Sequence, residues 1–264
     1  MASWTLGPGN MDNNDSVAGL GSIGGHSDLG IYDVTDQNLL PIGTKREFSD
    51  GRIFRFSEFA ADTTAGWLVA QDVSAQAVVY ATDDATAAAA GQNKVILTDS
   101  SLFGSATANQ FAGGYLHTVN DAGQGYTYRI QSNTAGSSNA TTLTLFDNLK
   151  VALTTASDVV ITGNPYNGLR GATAATDMWV VGVCINAMDV SDKNFGWVQT
   201  HGHATVLYDA GGSAVTIGDQ ITLSDGTEGA VQQHDTLAVE QIVGYALHVP
   251  NADADFISVY LQME

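Results

Sequence analysis

Two histidines one residue apart form the only metal-like pair in this sequence. His201 and His203 lie at positions i and i+2, so on a strand both imidazoles point to one face and could reach the same ion. Copies of the pair around a trimer axis would supply an octahedral set of nitrogens for a transition metal. No carboxylate or third histidine lies close by in the sequence, and we favour the interpretation that both are polar residues on the outward face of a strand.

Three other segments resemble fragments of binding loops. Residues 189–194 and 251–255 are spaced like parts of calcium loops, but they lack the glycine and the distal glutamate of an EF-hand, which favours turn capping. Residues 19–24 match G-x-G-x-x-G by spacing, yet no strand precedes them and no helix follows to direct a phosphate-binding terminus. We interpret that match as chance in a glycine-rich segment.

No recognisable catalytic constellation appears in the sequence. Carboxylates are plentiful, but nothing in the sequence pairs any two of them, and none of the six histidines lies in a triad context. We therefore expect no catalytic residue, no bound cofactor and no metal, and hence a protein that is not an enzyme.

The charge balance restricts the kinds of partner. The 264-residue chain has 28 acidic and 9 basic residues, a net charge of −19. A surface that binds phosphates needs lysine and arginine to displace counterions, so nucleic acids and anionic membranes are disfavoured as partners. No signal peptide is visible at the N-terminus, and no run of about 18 apolar residues predicts a membrane span.

The elements that would hold these residues are predicted to be strands. Aspartate makes up 23 of the 28 acidic residues, and there are 29 glycines, a composition typical of many turns. We predict an all-β fold with very little helix, residues 85–90 being the one candidate for a short helix or helical loop. The predicted order is an extended arm over residues 1–44, a β-rich domain over 45–170 and a C-terminal β-barrel or sandwich over 171–264.

The predicted arm has isolated apolar residues in a Gly-, Asn-, Asp- and Ser-rich background. We do not expect such a segment to fold on its own, but its apolar residues can dock on another surface. Two readings stay open: an arm that wraps a neighbour, with Trp4, Leu20 and Ile23 as anchors, or a frayed or locally packed tail.

A hairpin over residues 45–56 follows the arm. A two-residue Asp-Gly turn would pair Phe48 with Ile53, whereas a three-residue loop with Gly51 in the left-handed conformation would pair Phe48 with Arg52. We prefer the second register because it gathers the hairpin's phenylalanines on one face. Four of the nine basic residues lie here, and they predict either a docking patch for an acidic partner or neutralisation of the chain's own carboxylates: Lys45, Arg46, Arg52 and Arg55.

The single cysteine and three of the tryptophans are predicted to be core residues. Cys184 lies in an apolar run and cannot form an intrachain disulfide, so a small buried thiol is expected. Trp67, Trp179 and Trp197 could stack on sugars, but each lies in an apolar run that favours burial.

Several segments resemble a group of virion structural proteins from tailed bacteriophages, many of them marine. The resemblance lies in GTKR at 43–46, DGRIFRF at 50–56, QFAGGY at 110–115, YTYRI at 126–130, NPYNG at 164–168, GWVQT at 196–200 and IVGYA at 242–246. These motifs are turns and strand cores, so they point to a kind of protein rather than to particular contact residues.

The resemblance implies a head decoration, or cement, protein. Such a protein would be made in the host cytoplasm and would bind the major capsid protein on the outside of the shell, as a homotrimer. The alternatives are a tail or spike component, in which His201 and His203 would hold a metal at the trimer axis, and an extracellular carbohydrate-binding or hydrolytic β domain.

Overall fold

A computed structural model describes residues 29–71, 79–81, 86–98, 106–173, 179–211, 214–234, 241–250 and 252–264. These residues form sixteen β strands and no helix, which confirms the predicted all-β class. They divide into two β units, one drawn from Met1–Asp72 together with Gly168–Glu264 and the other from Val73–Asn167.

The strands of each unit belong to one sheet, numbered here in chain order. The first unit contains β1 (Lys45–Glu47), β2 (Ile53–Glu58), β3 (Leu68–Gln71), β10 (Leu169–Gly171), β11 (Val180–Cys184), β12 (Phe195–Leu207), β13 (Gln220–Leu223), β14 (Val231–Gln233), β15 (Ile242–Ala246) and β16 (Phe256–Gln262). The second unit contains β4 (Val79–Ala81), β5 (Lys94–Leu97), β6 (Tyr115–Thr118), β7 (Thr127–Asn133), β8 (Thr141–Leu145) and β9 (Val159–Thr162).

Strand β12 organises the first unit. The sheet order is β10-β3-β11-β12-β16-β15-β13-β14, and the 13-residue β12 also pairs with β2 of the hairpin. Because β12 and β11 lie late in the chain and take β2 and β3 as antiparallel neighbours, residues before 72 fold with the C-terminal part. The unit boundaries therefore differ from the predicted division, which grouped residues 45–170.

Residues 29–44, assigned above to the arm, pack on the first unit. Ile31 and Leu40 are buried in an aromatic cluster with residues of the hairpin and β12. Thr35 forms two backbone hydrogen bonds with Phe195, with N···O distances of 2.9 and 3.0 Å. For these sixteen residues the structure shows the locally packed alternative, and residues 1–28 lie outside the described part.

The second unit is a sheet in the order β4-β9-β6-β7-β8-β5 over a core of its own. Side chains alternate between the core and solvent, as in β5, where Val95 and Leu97 are buried and Lys94 and Ile96 are exposed. The short helix suggested for residues 85–90 is wrong for the part that is described, since Ala88 pairs with Leu153 in an antiparallel bridge. Pairing with a neighbouring segment here overrides the helix propensity of alanine.

Candidate functional site

The hairpin of β1 and β2 adopts the preferred register. The Phe48 N–H donates to the Arg52 carbonyl oxygen and the Gly51 N–H to the Phe48 carbonyl oxygen, each with an N···O distance of 2.9 Å. Gly51 has a φ of 87°, the left-handed conformation that the three-residue loop requires. The prediction that Phe48 lies opposite Arg52 is confirmed.

This register gives the hairpin a buried aromatic face. Phe48, Phe54 and Phe56 are all buried, and the rings of Phe48 and Phe54 meet edge to face with 5.4 Å between centroids. Phe56 also contacts Phe195 and Trp197 of β12, so the hairpin is fixed to the main sheet through its side chains as well as its hydrogen bonds. Trp197 is therefore a core residue, as predicted.

Three of the four basic residues of the hairpin form ion pairs within the chain. Lys45 Nζ lies 2.9 Å from a Glu47 oxygen, and Arg52 Nε lies 2.7 Å from an Asp50 oxygen. Arg55 pairs with Glu264, which also accepts a hydrogen bond from the Thr200 hydroxyl. In the structure these three basic residues thus neutralise carboxylates of the same chain, which is one of the two interpretations that their sequence positions allowed.

The carboxylates in two of these pairs are held in the charged form. Burial opposes ionisation of Glu264, but hydrogen bonds from Arg55 and Thr200 outweigh it and hold the pKa of that carboxyl below its ordinary value. At Asp50 burial also opposes ionisation, but hydrogen bonds from the backbone and side chain of Arg52 together outweigh it, so the pKa of Asp50 is also lowered. Both pairs are therefore ionised at neutral pH.

Arg46 fixes the point at which the preceding chain meets the hairpin. Its Nη1 donates to the Leu29 carbonyl oxygen at 2.8 Å, and its guanidinium lies over the Phe48 ring, 5.3 Å from the centroid. Leu29 is the first described residue, and this contact holds it beside the hairpin. The predicted anchors in residues 1–28 lie outside the described residues: Trp4, Leu20 and Ile23.

A cleft of about 420 Å³ lies beside the hairpin in the first unit. Its rim includes the exposed rings of Tyr32 and Phe256, and its polar lining includes Arg52, Gln199 and His203. This cleft could not be predicted from the sequence, because Tyr32 and Phe256 come from segments far apart in the chain and no motif links them.

The histidine pair is arranged around a tyrosine. His201 and His203 each place their imidazole edge to face against the Tyr260 ring, with 5.4 Å between centroids. His201 Nδ1 lies 3.0 Å from the Glu264 carbonyl oxygen, and Nε2 lies 3.3 Å from the Tyr260 hydroxyl. In the described ranges no three His, Cys, Asp or Glu side chains gather as metal ligands.

Cys184 is buried, as predicted, with its sulfur 3.2 Å from the Thr63 hydroxyl oxygen and 2.7 Å from the Asn186 carbonyl oxygen. Burial raises the pKa of this thiol, an effect that those two hydrogen bonds only partly offset. The group is a packed core thiol rather than a nucleophile.

The other two tryptophans differ from the expected core positions. Trp179 is 60% exposed, so the prediction of burial is wrong for it. It lies one residue before β11, whose own side chains take the buried positions. Trp67 is half-buried, with its ring against Gly229.

No protein-family model, curated protein or solved structure matches this chain. Within the described part of the chain, no helix is long and apolar enough to cross a membrane.

Proposed function

We propose that this chain is a phage head decoration (cement) protein, a homotrimer that binds the major capsid protein on the outer surface of the shell and stabilises it without catalysis. The sequence resemblance supports this proposal. The structural observation that carries it is the position of Leu29, the first described residue, which Arg46 and the aromatic cluster hold against the hairpin. The proposal assigns capsid binding to residues 1–28, which precede this point in the chain and contain the scattered apolar residues.

This arrangement suits a protein that strengthens an assembled lattice. A protein that binds the closed shell, and not free shell subunits, stabilises the shell by mass action. A tethered segment adds contact area without a large rigid footprint, and several segments on one oligomer add avidity. Twenty-eight residues reach at most about 100 Å when fully extended, enough to cross a neighbouring subunit.

The ion pairs of the hairpin also favour contact at this end of the molecule. The chain carries a net charge of −19, which repels most acidic surfaces. Around the hairpin, Asp50 and Glu264 are matched by Arg52 and Arg55, so this surface has little net charge. A partner can approach the origin of the segment here with less electrostatic repulsion than elsewhere.

Removal of residues 2–28 tests the proposal. The deletion ends before Leu29 because Ile31 and Leu40 belong to the core, and a longer deletion would unfold the first unit. We expect the truncated protein to keep its circular dichroism spectrum but to lose co-sedimentation with purified heads that lack this protein. The triple variant Trp4→Ala, Leu20→Ala, Ile23→Ala should lose most binding, while a matched polar control, Asn10→Ala, Asn13→Ala, Ser16→Ala, should bind normally. Undiminished binding by the truncated protein would contradict the proposal.

A further inference from the structure

Among the described residues of β5 to β9, no outward-facing side chain is acidic, and Asp158 continues this alternation one residue before β9. Alternation along β5 to β9 and the residue after β8 places twelve described side chains on this face, here called the cationic sheet face: Lys94, Ile96, Tyr115, His117, Thr127, Arg129, Gln131, Thr142, Thr144, Phe146, Val160 and Thr162. Two of the twelve are basic and none is Asp or Glu, in a chain with a net charge of −19.

Neither basic residue of this face has a carboxylate partner among the residues that the structure describes. Lys94 and Arg129 are both exposed, and the ion pairs found among the described residues all belong to the hairpin of the other unit. Their positive charges therefore remain available to a partner, unlike those of Arg52 and Arg55.

Arg129 is held in a geometry that suits a protein contact. Its guanidinium lies 5.1 Å from the centroid of the exposed Phe146 ring. This contact holds the guanidinium in place and leaves the N–H groups at the edge of the guanidinium free to donate to a partner. Tyr115 is the residue opposite Arg129 in the pairing of β6 with β7, so the two side chains are neighbours on this face. Arginine and tyrosine set among apolar neighbours are the residues that most often dominate binding energy at interfaces.

The complementary charge is on the other unit of the chain. Of the 28 acidic residues, 22 lie in the segments that form the first unit and only 6 in the second. Three turns of the first unit carry a group of them, here called the acidic turns: residues 208–211, 224–228 and 252–255. Hydrogen bonds join the first and third of these turns, from Ala210 N to Asp253 Oδ1 at 2.9 Å and from Ala254 N to the Tyr208 carbonyl oxygen at 3.1 Å. The Ser224 hydroxyl joins the second turn to the first by donating to an Asp209 carboxylate oxygen. Asp225, Glu228 and Asp253 are exposed there.

We propose that the cationic sheet face of one copy docks on the acidic turns of a second copy. Each copy then uses two different surfaces, so the contact is head-to-tail and closes into a ring when the rotation between copies allows it. Arg129 would bind a carboxylate of the acidic turns, with Tyr115 and Phe146 excluding water around it. This inference rests on the self-association in the proposed function and names the surfaces that produce it.

Two complementary variants of the full chain test this contact by sedimentation velocity. The double variant Lys94→Glu, Arg129→Glu reverses the charge of the cationic sheet face and leaves the acidic turns intact. The double variant Asp225→Lys, Asp253→Lys reverses charges in the acidic turns and leaves the cationic sheet face intact. We expect the unmodified chain to associate, more weakly as salt shortens the Debye length from about 10 Å at 0.1 M to about 3 Å at 1 M. Each variant alone should raise the dissociation constant by about tenfold or more. An equimolar mixture of the two should form a one-to-one complex, because one intact pair of surfaces remains.

Lys150→Glu is the matched control, since it reverses a charge in the same unit outside the cationic sheet face. It should associate like the unmodified chain. A monomeric unmodified chain, variants that associate normally or a mixture that stays monomeric would each overturn the inference. Co-sedimentation of the same proteins with heads separates the two ideas: a monomer that binds heads defeats only the self-association, and an oligomer that ignores heads defeats only the decoration role.

Discussion

The rings of Phe56 and Trp197 meet edge to face, with 5.5 Å between their centroids, and join the hairpin to strand β12. Both side chains are fully buried. This contact ties two segments that are far apart in the sequence, and it fixes the hairpin against which Leu29 is held.

Truncation of Phe56 should therefore weaken the first unit strongly. Loss of a buried phenylalanine leaves a cavity, and we expect Phe56→Ala to reduce the free energy of unfolding by about 3–5 kcal/mol. All four tryptophans belong to the segments of the first unit, so tryptophan fluorescence in a urea titration reports on it directly. Ile217→Ala is the control, because Ile217 is 69% exposed and should change stability by less than about 0.5 kcal/mol. Equal effects of both substitutions would contradict the assigned core.

Two glycines of the first unit should differ in their tolerance of alanine. Gly51 has a φ of 87° with nothing near its absent side chain, so Gly51→Ala introduces only backbone strain of about 1–2 kcal/mol. A Cβ at Gly244 would lie 2.1 Å from the Tyr260 carbonyl oxygen on the paired strand. Because that backbone cannot move away, Gly244→Ala should cost about 3 kcal/mol or more. Urea titrations that gave the reverse order would show that the β15–β16 pairing is misassigned.

The Glu264 carboxylate should make stability fall on acidification. Its pKa in the folded protein lies below the ordinary value of 4.5, so its contribution is fully present above that pH and is lost as the pH falls through the folded-state pKa. We expect Glu264→Gln to be less stable than the unmodified chain by about 1 kcal/mol at pH 7. The difference should shrink as the pH falls below 4.5 and should vanish once the carboxyl is protonated in the folded protein as well.

Glu47→Gln serves as the comparison for that measurement. Glu47 pairs with Lys45 on the same hairpin, but both side chains are well exposed, so its loss should change stability little at any pH. A Glu264→Gln deficit that stayed constant from pH 7 to pH 3 would show that packing, and not the charge, is responsible.

The Cys184 thiol should be inert in the folded protein. It is buried and its pKa is raised, so the reactive thiolate is scarce and shielded from reagents. A chromogenic disulfide reagent at pH 8 should label it only on the timescale of unfolding, and completely in denaturant. Rapid stoichiometric labelling of the native chain would place this residue at the surface.

Local patterns in the sequence predicted the strands well where alternation and turn residues agree. Apolar and β-branched residues between polar turns predict strands at 94–97 and 159–162, and the structure has both strands with these bounds. The loop at Gly51 follows from the need to bury Phe48 with its neighbours. Strands β6 and β10 were not predicted. Leu169–Gly171 is only three residues long, and Tyr115–Thr118 contains a single aliphatic residue, Leu116, so no apolar run marks it as a strand.

Long-range pairing set the features that the sequence could not reveal. The burial of Ile31 and Leu40 depends on Phe195 and Trp197, which are distant in the sequence, so residues 29–44 looked like part of an arm. The partners of Arg55 were equally hidden, because Glu264 reaches it only through the β12–β16 pairing. The composition of one strand face, as around Arg129, emerges only once the sheet order is known.

The copy number of this chain in purified virions, relative to the major capsid protein, tests the central claim most directly. Quantitative mass spectrometry of density-purified particles gives the ratio. The decoration role predicts hundreds of copies, near a simple ratio to the shell subunit. About a dozen copies or fewer would place the chain in the tail or spike, and its absence from the particle would contradict the assignment to the virion.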